Sequence, residues 1–176
     1  ARHASEPHDV RRRLGALTRG ALARRSADNP EGWIEQLFHS GRACEIYLGN
    51  DTHVMACEDA ARYRDALGVD LPEAVPEAFL EPEPDALFSL FLRFAGRHGP
   101  FSAEALAQHF ATEVGLAEES LAELVHRGRL EHSHMVPGSR DRHYCHPDVL
   151  RRIRRRSLEI LLGAIAPVSA ARYAAF

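Results

Sequence analysis

The sequence predicts a mainly helical α+β fold in which one pattern, helix then β-hairpin then helix, is used twice. Three observations carry this prediction. Apolar residues recur at helical spacing along most of the chain. Two pairs of short stretches read as strands around tight turns. A ten-residue string returns, in altered form, 87 positions later.

The elements follow in order. Val10, Leu14, Leu17 and Ala21 share one helical face among arginines, which predicts a helix over 9–22. After a turn at 26–29, Asn29 and Pro30 have the residue types of an N-cap and a first helical position. That helix should run to about Ser40, bury Trp33, Ile34, Leu37 and Phe38, and stop at Gly41. Cys44–Leu48 alternates, Gly49-Asn50-Asp51 turns, and Thr52–Ala56 returns as the second strand. Glu58–Leu67 is helical and ends at Gly68. Residues 69–84, acidic and rich in proline, read as a surface linker or strap. An apolar helix spans Asp85–Arg97, and a short one follows Ser102, with Glu104 in its first turn. A third runs from about Ala117 to His126. Strands at Leu130–Met135 and Arg142–Cys145 flank a turn at 137–139, and a long helix from Pro147 reaches about Gly163. In that helix Val149, Leu150, Ile153, Ser157, Leu158 and Leu161 are expected to face inward onto the second module.

The repeat joins these pieces. Ile34-Glu-Gln-Leu-Phe-His-Ser-Gly-Arg-Ala aligns with Leu121-Ala-Glu-Leu-Val-His-Arg-Gly-Arg-Leu, and strand, turn, strand and a cysteine follow both copies. Helix, Gly-Arg, hairpin, helix is the order of a winged helix whose hairpin is the wing. The expected architecture is therefore tandem winged-helix-like modules with β-hairpin wings. The first covers 1–68, the acidic Pro-rich linker 69–84, and the second, with its long C-terminal helix, 85–176.

Composition narrows the function. The chain has 176 residues, 45% of them hydrophobic, and a net charge of −3, as an ordinary globular protein would. The charge is segregated, with nine Arg against three acids in 127–156 and nine acids against two Arg in 58–87. All 22 cationic residues are Arg, so the preference over Lys carries little meaning, whereas the clustering does. No signal-peptide pattern opens the chain, and the longest apolar run, 158–166, is interrupted and too short to cross a membrane. A cytoplasmic location is expected, with the three cysteines reduced.

The second hairpin is the best candidate for nucleic-acid contact. Arg127 and Arg129 end its helix, while Arg140, Arg142 and His143 surround its turn, and guanidinium groups so placed reach phosphates. Arg42 is the equivalent in the first module. Trp33 and Tyr144 are candidates to stack a base, although core packing suits Trp33 better. The run 151–156 serves equally as a solvated face, a partner for the acidic linker, or a DNA contact. His132, His134, His143 and Cys145 lie close in sequence but lack paired ligand spacing, so no metal site is expected. Phosphate-binding Gly-x-x-x-x-Gly-Lys, Gly-x-Ser-x-Gly and His-Glu-x-x-His motifs are all missing, and no catalytic residue is assigned.

Several strings, in order, resemble one family. They are Cys57-Glu-Asp-Ala-Ala-Arg-Tyr-Arg-Asp-Ala-Leu-Gly68, Val75-Pro-Glu-Ala-Phe79, Arg97-His-Gly-Pro-Phe101, Val149-Leu-Arg-Arg-Ile-Arg-Arg-Arg-Ser-Leu158 and Ile165-Ala-Pro-Val-Ser169. Over about 30–176 the chain is similar to the large helicase-related (Lhr) family of superfamily-2 helicases, in the region after the motor domains; 1–29 match less clearly. The resemblance implies an ATP-dependent helicase that tracks single-stranded DNA, unwinds duplexes including RNA–DNA hybrids, and serves DNA repair. It also implies winged-helix units, related to a class of DNA glycosylases, after the motors. Tyr144 stands where family members often carry tryptophan, and the motor motifs are not in this sequence. ATP and Mg are thus expected for the intact helicase and no cofactor for this segment. Its expected partners are single-stranded DNA or an RNA–DNA duplex and the motor domains of the same full-length chain, with no membrane.

Three alternatives remain open. A glycosylase-like winged-helix module needs a pocket for a flipped base. A winged-helix transcription regulator needs a symmetric dimer. A scaffold would only pack against the motors.

Overall fold

The computed structural model describes residues 15–24, 30–139 and 141–164. Strand β1 (Leu17–Thr18) leads directly into helix α1 (Arg19–Ala23), where the Thr18 hydroxyl accepts the Ala21 N–H at 3.2 Å. Helix α2 (Pro30–His39) is followed by β2 (Ala43–Leu48) and β3 (Asp51–Ala56). These strands form one antiparallel sheet in the order β1-β3-β2, with Leu17 opposite Val54 and Cys44 opposite Met55. The helix expected over 9–22 is therefore corrected within the described residues. Gly15 has a φ of +81°, and a Cβ there would meet the Tyr63 hydroxyl at 2.8 Å. The next N–H, of Ala16, donates to that hydroxyl at 2.8 Å. A left-handed residue stops any helix from continuing through this point, and Leu17 pairs as a strand instead. Residues 9–14 lie outside the described residues.

The chain continues through a 3-10 turn at Cys57–Asp59 into α3 (Ala60–Leu67), which ends on left-handed Gly68. The second module then repeats the first. Helix α4 (Ala86–Ala95) precedes an isolated bridge residue, Phe101, which exchanges both backbone hydrogen bonds with Tyr144. Ser102 caps α5 (Ala103–Phe110) as Thr18 caps α1, and accepts the Ala105 N–H at 3.3 Å. Helix α6 (Val114–His126), strands β4 (Glu131–Ser133) and β5 (His143–Cys145), and helix α7 (Pro147–Ala164) complete it. With Phe101 on β5 and β4 on its other side, the strand order matches that of the first module.

The duplication extends to single hydrogen bonds. The Gly41 and Gly128 N–H groups donate to Phe38 and Val125, and those of Arg42 and Arg129 donate to Leu37 and Leu124. Both glycines are left-handed, at +63° and +67°. The aligned Ile34 and Leu121, and Leu37 and Leu124, are all buried. The chain is thus a mainly helical α+β fold of tandem winged-helix-like modules.

The period of a strand divides the first sheet between two cores. Ala43 and Val54 pack with Leu22, Ile34 and Leu37 in the first module's own small core. Cys44, Ile46, Leu48 and Met55, on the opposite face, join Tyr63 and the second module's Phe91, Phe94, Leu106, Leu121 and Leu124 in one shared core. All three cysteines are free and buried.

The acidic strap is fastened down. Val75 is buried, and Leu71, Phe79 and Leu80 lie on the shared core. Arg62 binds Glu83 at 2.6 Å, Arg64 donates to the Leu80 carbonyl at 3.1 Å, and Asp65 accepts the Glu83 N–H at 2.8 Å. The strap's Glu83 thus pairs with α3, whereas Arg151, Arg154, Arg155 and Arg156 pair with Asp148, Glu131 and Glu159.

The inward face expected for the last helix is also corrected. Val149 and Leu150 are buried, but every residue from 151 to 163 is exposed, with Leu161 at 64%. An 18-residue helix is about 27 Å long, well beyond the three-residue strands beside its start. Among the described residues no helix is long and apolar enough to cross a membrane.

Candidate nucleic-acid interface

The second wing is short in its strands and open in its loop, which spans 134–142. Four of the expected contact residues can be placed on it. Arg127 caps α6 and turns back. Its Nε donates to Glu123 at 2.7 Å and its guanidinium lies 4.8 Å from the centroid of the Phe88 ring, so its charge is partly engaged. Arg129 and Arg142 are exposed, and neither has a carboxylate partner among the described residues. Arg140 lies outside the described residues. His143 is half-buried, and its Nδ1 has no hydrogen-bond partner among the described residues. Arg42, after α2, is likewise exposed and without a side-chain partner among them.

The aromatic candidates divide differently. Tyr144 is buried, with its ring stacked on His132 at 4.2 Å and 2° and 6.3 Å from Phe101. That ring is part of the hairpin's packing and presents no open platform. Burial, with the nearby Arg142 charge and His134, holds the His132 imidazole below its usual pKa. The side chain of Trp33 lies outside the described residues.

Tyr47, passed over in the sequence, is 75% exposed. It lies on β2 opposite Thr52, on the sheet face whose Ala43 and Val54 pack with α2. The signal was present, since an aromatic at the polar phase of an alternating strand has no core to enter. Among the described residues no group of three His, Cys, Asp or Glu side chains is arranged to hold a metal ion.

This geometry can be set beside known proteins. The winged-helix domain of large helicase-related protein matches residues 1–82, including the N-terminal part in which the sequence strings are least clear. A protein of Mycolicibacterium smegmatis named Lhr helicase/probable uracil glycosylase is 36% identical over 177 aligned positions, covering 100% of this chain and 12% of the relative. The Lhr helicase/uracil glycosylase of Escherichia coli K12 is 34% identical over 169, covering 94% of this chain and 11% of its own length. The chain thus spans about one eighth of the relatives it matches. Two relatives aligned along almost all of it, and a winged-helix match over the first module, lead to one conclusion: the chain belongs to the large helicase-related family, as a winged-helix segment.

Proposed function

We propose that this segment is an accessory nucleic-acid grip of an ATP-dependent helicase acting in DNA repair, and that its second wing holds the phosphate backbone. The observation that carries the reading is the state of the arginines. Arg19, Arg62, Arg64 and Arg93 are bound to Glu45, Asp59 and Glu83, Asp65, and Asp59. Arg42, Arg129 and Arg142 stand in the helix-to-wing joints and the wing loop without such partners among the described residues. A guanidinium left exposed beside a helix end is matched to a phosphate, which it binds through paired N–H donors. Arg127 adds to that surface, Arg140 is kept from the sequence as a further phosphate contact, His143 flanks the surface, and Tyr47 supplies a ring on which a base of a single strand stacks.

ATP and Mg belong, in this reading, to motor domains elsewhere in the full-length chain. The uracil-glycosylase wording in the relatives' names favours one second reading, in which this segment grips the strand for base excision. Release of uracil from a uracil-containing strand by the 176-residue chain, leaving an abasic site, would establish that chemistry here.

The test is titration of the chain with fluorescent single-stranded DNA, duplex DNA and RNA–DNA hybrid at two salt concentrations. Five arginine–phosphate contacts on a single strand give a loss of about 100-fold between about 50 and 200 mM salt. Replacing Arg127, Arg129, Arg140 and Arg142 together by Ala should remove most of that salt sensitivity. Binding unchanged in this variant, or no binding at low salt, would overturn the reading and leave a scaffold packed on the motors.

A further inference from the structure

A second cationic feature lies at the seam between the modules, away from the helix-facing side of the first sheet. It is a cavity of about 540 Å3, lined by Arg24 after α1, His53 on β3, Arg97 and His98 after α4, and His109 on α5. The strand register explains how His53 arrives there. It pairs with Ile46, whose side chain enters the shared core, so both point toward the second module. Two guanidinium groups and three imidazoles thus meet, and among the described residues no Asp or Glu lines the cavity. Neither Arg24 nor Arg97 has an ion-pair partner among the described residues.

The imidazoles are held in place. The His98 ring stacks on Phe94 at 3.8 Å, and its Nδ1–H donates to the Phe94 carbonyl at 2.9 Å. The His109 ring lies 4.7 Å from Phe94 and 6.0 Å from His98. The His53 Nδ1–H donates to the Asp51 carbonyl at 3.2 Å. A carbonyl can only accept, so on both His53 and His98 it is Nε2 that remains for a ligand, as an acceptor in the neutral ring and as a donor in the protonated one. A metal does not suit the site. Among the described residues no three metal-ligating side chains are arranged to hold one, and two guanidiniums repel a cation.

We propose that this seam cavity is a phosphate-binding site, with Arg24 and Arg97 holding the phosphate oxygens and the three imidazoles lining the rest of the cavity. The chemistry is that of guanidinium forks on a dianionic or diester group, the geometry arginine serves best. The cavity is larger than one phosphate, so the group arrives either free or as part of a nucleic-acid strand. The proposal rests on the cavity's own lining and is independent of the wing. Burial, with His98 and His53 beside it, holds His109 down to about 4, so at neutral pH it is an uncharged N–H donor.

The test follows the histidine ring resonances of the 176-residue chain by NMR during titration with inorganic phosphate and, separately, with a single-stranded oligonucleotide. An Arg24→Gln/Arg97→Gln variant runs in parallel; both residues are exposed, and its thermal midpoint reports retained folding. Saturable shifts of His53, His98 and His109 with phosphate, weakened at least tenfold in the variant, are expected. If the oligonucleotide moves the same resonances and displaces phosphate, the group is a strand phosphate; if only phosphate does so, it is a free one. No shift with either titrant, or shifts that persist unchanged in the variant, would overturn the site. The wing variant should leave the phosphate titration untouched, so loss of the wing reading and loss of this one are read separately.

Discussion

The two wings begin from one topology and end in different uses. The first has six-residue strands joined at Gly49-Asn50, and both its faces carry buried residues, one packed with α2 and the other in the shared core. A Cβ on Gly49 would stand 3.0 Å from that of Ala111, so even the tip abuts the second module. The second has three-residue strands, a long exposed loop and, in Arg129 and Arg142, arginines without a carboxylate partner among the described residues. The difference shows that a duplicated element need not duplicate its function. One copy was absorbed into the body, which leaves the other free to meet a partner.

If the first sheet is part of the body, the two modules should unfold together. Phe91 is wholly buried in the shared core, 5.5 Å from Phe110 and in the same cluster as Ile46 and Met55. Phe91→Ala should therefore cost about 3–5 kcal/mol, through lost transfer energy and a cavity the neighbours fill only partly. Calorimetry should show one transition moved as a whole. Two transitions, with only the later one displaced, would break the comparison and make 1–68 and 85–176 separately folding domains joined by 69–84.

Tyr47 asks whether the absorbed wing keeps any contact with nucleic acid. Its ring is exposed and supports no core, so Tyr47→Ala should leave thermal stability within about 0.5 kcal/mol of the parent. If a base stacks on it, single-strand affinity falls by about 1–3 kcal/mol, with the salt dependence unchanged because no phosphate contact is lost. An unchanged affinity would confine the interface to the second wing.

Much of this could be read from the sequence, and the parts that could not share a cause. The Ile34 and Leu121 strings marked the duplicated helix-to-wing joint because the same buried positions and the same left-handed glycine recur in both. The hairpin at 43–56 was legible from alternation and its turn. By contrast, the apolar spacing of 9–22 promised a helix that left-handed Gly15 interrupts, where the Ala16 N–H donates to the Tyr63 hydroxyl 47 residues away. Val149 through Leu161 has the pattern of a core-facing helix, yet a pattern states what a face suits and not whether a surface is there to meet it. The seam cavity was invisible for the same reason, since His53, His98 and His109 come together only through the packing of one sheet on another module's helices.

His109 offers the most local test of that packing. Its imidazole sits where the first sheet's packed face meets α5, and burial, with His98 and His53 near it, takes its pKa from 6.5 to about 4. With the folded pKa below the unfolded one, the unfolded chain binds the extra proton between these values, so stability rises with pH across that window. It is fully present above about 6.5, declines as pH falls, and is wholly lost below about 4. A fully sealed group would contribute about 3 kcal/mol; this imidazole borders an open cavity, and screening there reduces the expectation to about 1–2 kcal/mol. Denaturant unfolding at pH 7 and pH 4.5 in phosphate-free buffer measures it, with His109→Gln as the reference that lacks the titration. The parent should lose more stability than His109→Gln on acidification. Equal losses would mean that the imidazole titrates as it would in water, and hence that the first sheet does not close over it in solution.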